Sequence, residues 1–255
     1  MEEERGDLRW GTIGRLLGDA ATRFGDSEAL VDPTGDDGAG ARFSYLELYE
    51  RAQAVARALI AAGLEPGDRV AIWAPNIWEW PVVCCGLHLA GGVLVPLNTR
   101  YKGTEAAHIL SASRAKALFC VDGFLGNDYV SMLSGATDDL RDLPQLEHLV
   151  VLRSGGTAPQ GCITFDAVIE AGREVPAAAV DARVAALGPD DLSDLLFTSG
   201  NGAQLDYAKI LDSADEFTLM LNGATAISID HTPVPILVSV GANGEAVYDA
   251  LVPTG

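Results

Sequence analysis

Cations are scarce in this chain of 255 residues: 17 Lys and Arg stand against 36 Asp and Glu, a formal charge of −19. Such a surface repels nucleic acid and anionic membranes on average, so neither is an expected partner. No apolar run approaches the roughly 18 residues of a membrane span, so none is expected. Cysteine is nearly absent as well. Cys84, Cys85, Cys120 and Cys162 have no CxxC spacing and no His at metal-ligand spacing, and neighbours such as Cys84 and Cys85 pair poorly with each other. They read as buried reduced thiols. The start, Met1-Glu2-Glu3-Glu4-Arg5, lacks the basic and apolar regions of a secretory signal, which makes the cytoplasm the expected location. Histidine occurs four times. His108, His148 and His231 form no triad or metal constellation that spacing can defend, and His88, on an apolar helical stretch, reads as a core or interface residue.

What is present suffices for a sizeable core: 48% of residues are hydrophobic and 21% charged. At about 150 residues per domain, the length suggests one large domain or two modest ones. Thr12 to Phe24 places Ile13, Leu16, Leu17, Ala20, Ala21 and Phe24 on one helical face, predicting an amphipathic helix packed on a core. Glu28–Val31 is a short strand, and Asp32–Gly40 is a Gly- and Asp-rich loop. Ser44 with Glu47 forms a capping box for a helix that Gly63 can close. Arg69–Trp73 is a buried strand, and Ile77–Ala90 a helix with Pro81 near its first turn, ended by Gly91-Gly92. Val93–Val95 is the next strand. Thr104 caps a helix through Ser111, and Ala115–Val121 and Leu149–Leu152 are further strands. The alternation predicts an α/β fold of repeated strand–helix units with a largely parallel sheet.

Beyond Gly200 the composition changes. Residues 201–255 hold one basic residue, Lys209, and no arginine occurs after Arg183. Leu205–Leu221 is compatible with one helix, and Pro235–Val240, Gly241–Gly244 and Glu245–Leu251 with a β-hairpin. The expected organisation is therefore an α/β part, 1–200, followed by a small acidic α+β tail, 201–255.

Three stretches, in order, resemble the opening motifs of the adenylate-forming superfamily, the acyl-CoA synthetases and their relatives. Phe43-Ser-Tyr-Leu-Glu-Leu48 with the following helix and Gly67-Asp68-Arg69-Val70 resembles the first signature, and Leu87-His-Leu-Ala-Gly-Gly-Val-Leu-Val-Pro-Leu-Asn98 the second. Asp194-Leu-Leu-Phe-Thr-Ser-Gly200 resembles the strand that leads into the phosphate loop. The resemblance covers about residues 12–200 and implies the N-terminal portion of an ATP-dependent acyl-CoA ligase. In that family a carboxylate attacks the α-phosphate of ATP to give an acyl-adenylate, and coenzyme A then displaces AMP. A loop of backbone N–H groups, hydroxyls, a lysine and Mg²⁺ neutralises the phosphates. Thr198, Ser199 and Gly200 are the residues the resemblance assigns to nucleotide binding; an ordinary strand-to-loop turn is the other reading. No catalytic residue and no metal ligand is assigned.

The resemblance then breaks. Asn201-Gly-Ala-Gln-Leu-Asp206 follows, without the family's further hydroxyls, and Asp206 stands where the resemblance would put the lysine. A carboxylate there repels phosphate. The resemblance thus implies ATP, Mg, CoA and a carboxylic acid as ligands of a chain that does not turn over unaided. The alternative is a non-catalytic binding protein whose sheet edge or acidic tail hairpin meets a protein partner. Trp73, Trp78 and Trp80 suggest either an aromatic acyl pocket or core packing. The acidic pairs Asp36-Asp37, Asp138-Asp139 and Asp190-Asp191 read as loops and caps rather than metal ligands.

Overall fold

Arg69–Trp73, Val93–Pro96, Ala117–Val121 and His148–Leu152 are almost wholly apolar, the pattern of strands covered on both faces. The computed structural model describes residues 11–33, 40–138 and 140–197 and four short strands beyond them. In it these segments are β3, β4, β5 and β8. The other elements are the helices α1 (Ile13–Phe24), α2 (Tyr45–Ala61), α3 (Glu79–Ala90), α4 (Gly103–Ser113), α5 (Tyr129–Ala136), α6 (Phe165–Ala171) and α7 (Ala177–Ala186) and the strands β1 (Glu28–Asp32), β2 (Ala41–Ser44), β6 (Gly123–Phe124), β7 (Asn127–Asp128) and β9 (Ile163–Thr164).

The main sheet has the order β4-β3-β5-β8-β9 and is parallel throughout. From β3 the chain steps outward to β4, then returns past β3 to β5 and continues to β8 and β9. This is a doubly wound order whose direction reverses between β3 and β5. Helices α1, α2, α3, α6 and α7 pack on one another, and α4 packs on α5. β1 and β2 form a separate antiparallel pair.

Local chemistry sets several boundaries. The capping box at Ser44 is complete, with Glu47 N–H donating to Ser44 Oγ at 3.2 Å and Ser44 N–H to Glu47 Oε2 at 2.8 Å. The expected cap at Thr104 is corrected: α4 begins at Gly103, because Glu105 reaches back to accept the Lys102 N–H at 2.8 Å and so fixes the start earlier. Helix α3 starts at Glu79 rather than Ile77, its first turn held by Asp32, whose Oδ2 accepts the Trp78 N–H at 2.9 Å. α1 is helical as expected, but only part of its apolar stripe is covered. It rests on the small residues Gly14 and Ala21, so Ile13, Leu16 and Phe24 flank the contact and stay 37–48% exposed.

The chain divides into two contact units, Met1–Phe197 and Thr198–Gly255. In the second, Ile236–Val240 (β12) pairs antiparallel with Ala246–Asp249 (β13), the hairpin expected there. The helix expected over 205–221 is corrected at its end: Leu219–Met220 (β10) is a strand paired with Ala226–Ile227 (β11). The five residues between the paired strands, 221–225, include Asn222-Gly223, which disfavour a helix interior. The rest of that predicted helix lies outside the described residues.

Candidate functional site

In open α/β sheets ligands sit outside the carboxyl ends of the strands, at the reversal of strand order. Here that place, between β3 and β5, is filled by protein. The buried Trp73 ring stacks on Tyr129 with centroids 4.1 Å apart and planes 5° from parallel. Trp73 Nε1 donates to the Asn98 carbonyl at 3.1 Å, and the Tyr129 hydroxyl to that of Thr99 at 2.9 Å. Trp73 is thus a core residue with its one polar atom satisfied. Trp78 and Trp80, by contrast, line an open cavity of about 510 Å³ with Leu30, Val31 and Ile77.

Beside the filled crevice lies an ion network that no sequence motif announces. Arg153, the residue after β8, takes a left-handed backbone conformation with φ of 51°. Its Nε donates to both oxygens of Glu79, at 2.8 and 3.0 Å, and its guanidinium also pairs with Asp32. Glu79 and Asp32 are 1% and 4% exposed. The network joins β1, the start of α3 and the end of β8. Its carboxylates already hold cationic and N–H donors, which suits a fixed scaffold rather than proton transfer.

Of the strand expected over Asp194–Gly200, the described residues show a single bridge, at Asp194. Leu94 N–H donates to the Ser193 carbonyl at 2.8 Å and Leu195 N–H to the Leu94 carbonyl at 2.7 Å, a parallel bridge that adds Asp194 to the β4 edge. Leu196 and Phe197 follow without a further bridge among the described residues. Thr198, Ser199 and Gly200 follow and lie outside the described residues.

Asp194 also faces α3. His88 is 6% exposed, with Nε2 3.9 Å from Asp194 Oδ1. Burial pushes its pKa below the usual histidine value, and the Asp194 charge offsets part of that shift. One turn back, the Cys84 thiol is pushed up to about 12 by burial, then by Cys85 and Asp194, and burial alone takes Cys85 to about 11. Neither is a thiolate at neutral pH, so Cys84 and His88 are not a nucleophile and its base. All four cysteines are free thiols. Of the acidic pairs, Asp191 accepts the Gly188 N–H at 2.8 Å and Asp138 pairs with Arg141 at 3.1 Å, both local turn contacts. Among the described residues no group of three His, Cys, Asp or Glu could hold a metal.

Residues 17–201 match the family model described as AMP-binding enzyme. The chain belongs to this family. The chain is 40% identical over 190 residues to 3-[(3aS,4S,7aS)-7a-methyl-1,5-dioxo-octahydro-1H-inden-4-yl]propanoyl:CoA ligase of Rhodococcus jostii (strain RHA1), which covers 74% of the chain and 35% of the relative. A protein of the same name from Mycobacterium tuberculosis (strain ATCC 25618 / H37Rv) is 47% identical over 159 residues, covering 62% of the chain and 29% of the relative. The chain thus spans about a third of the length of these relatives. Among solved structures, the apo structure of MbtA from Mycobacterium smegmatis superposes with a TM-score of 0.59 at 25% identity, over 76% of the chain and 32% of that protein. The family model ends one residue past Gly200, where the resemblance in the sequence also breaks. Among the described residues no helix is long and apolar enough to cross a membrane.

Proposed function

We propose that this chain carries the N-terminal part of an ATP-dependent acyl-CoA ligase and does not complete the reaction on its own. The observation that carries the reading is the parallel bridge of Asp194 to Leu94 on β4, which lies just before Thr198-Ser199-Gly200 in the sequence and after the family's earlier motifs in their proper order. In the complete reaction a substrate carboxylate oxygen bonds to the α-phosphorus of ATP and pyrophosphate leaves. The CoA sulfur then bonds to the acyl carbon as AMP leaves and the thiol proton passes to water. The names of the relatives at 40% and 47% identity favour a compact polycyclic propanoate as the acid.

Thr198, Ser199 and Gly200 supply the first hydroxyls and N–H groups for phosphate in this reading. Asp206 and the lack of further hydroxyls beside it argue that the second half of the phosphate site is not built here. No step is assigned to Mg²⁺, because no group of three His, Cys, Asp or Glu among the described residues could hold it. Four free thiols fit a reducing, cytoplasmic compartment. A pyrophosphate-release assay with ATP, Mg²⁺, CoA and such a propanoate, run beside calorimetric ATP titration of the chain and of Ser199→Ala, tests the reading. We expect no release above background and micromolar ATP binding that weakens in the variant. Turnover overturns the claim of incompleteness, and a well-folded chain that binds no ATP overturns the nucleotide site.

A further inference from the structure

We draw no further inference here: the strongest candidate, the cavity of about 140 Å³ between the start of α1 and the end of α3, lined by Thr12, His88 and Gly91-Gly92, carries nothing, because a helix N-terminus beside a histidine that already stands 3.9 Å from Asp194 does not show what ligand it would take.

Discussion

On one face of the sheet Trp73 and Tyr129 lie in parallel contact, and α4 meets α5 so closely that a Cβ on Gly103 would sit 1.9 Å from the Met132 carbonyl oxygen. On the other face, α2, through Leu59, and α6 stand over Phe119 and Val150 and leave an open apolar groove of about 280 Å³. The same strands supply both faces. Alternation sends Trp73 to one side and Phe119 to the other, and the volume of the helical side chains decides the rest: a tyrosine on α5 fills its layer, while the alanines beside Leu59 and Val168 on α2 and α6 leave a groove at the margin of theirs. The fold therefore tolerates one filled and one unfilled layer about a single sheet. The filled one lies under the crevice where such folds usually bind ligands.

Emptying the filled face should have the largest effect. Trp73→Ala removes a fully buried indole, its stack on Tyr129 and its bond to Asn98, and should cost about 5 kcal/mol by urea denaturation, the upper end for such truncations. A loss below about 2 kcal/mol would mean that the Trp73 layer relaxes easily and that the contrast between the faces is not one of packing. Next comes the network that clamps β1, α3 and β8. Arg153→Met removes the cation that the buried Glu79 and Asp32 share and should cost about 3 kcal/mol, with the double variant Arg153→Met/Glu79→Gln recovering part of it. Equal losses in the single and double variants would show that the loss does not come from the charges.

Filling the open face should act in the other direction and less. Ala167→Leu adds apolar volume beside Phe119 and Val150 without displacing a buried side chain, and should raise stability by about 1 kcal/mol. Destabilisation of that size instead would mean that the space between α2 and α6 is too narrow for a leucine, and the two faces would then be alike.

Much of the scaffold is legible in the residues alone. Arg69–Trp73 is a strand from end to end, and Ser44 with Glu47 marks the start of α2, because these signals are local: an unbroken apolar run and two side chains three residues apart. The features that distinguish the faces are not. Arg153 and Asp32 meet across 121 positions and Arg153 and Glu79 across 74, a separation at which no spacing rule operates. The alanines of α2 and α6 read as ordinary helix formers, and their small size matters only once Phe119 and Val150 are placed beneath them. Thr104 misleads because a good capping residue sits one position inside a helix that Glu105 starts earlier. Of the candidate site, the bridge of Asp194 to β4 falls where the order of the motifs puts it, whereas the plugging of the crevice by Trp73 and Tyr129 depends on a contact between β3 and α5.

The smallest expected effect concerns His88, on α3 in the helical layer that also holds α2, with its Nε2 3.9 Å from Asp194. Its pKa in the folded chain lies below the ordinary value of 6.5, first because of burial, with Asp194 restoring part. Unfolding releases the ring to water, where it binds a proton more readily, so between its folded and ordinary values the unfolded state holds more protons than the folded one. Stability therefore rises with pH there: it should be full above about pH 7, fall as the pH drops through 6.5, and level off below the folded value. The slope cannot exceed about 1.4 kcal/mol per pH unit for one group. Glu47 and Asp128, whose carboxyls are held below their ordinary 4.5 and 3.8 by bonds from Ser44 and Ser131, titrate lower and leave this window clear. Urea denaturation at pH 7.5, 6.5 and 5.5 should show the decline in the native chain and a flatter profile in His88→Gln. An identical slope in both would place the proton elsewhere, and a rise on acidification would mean that the Asp194 charge outweighs burial and that α3 meets the Asp194 strand through an ion pair rather than a dry contact.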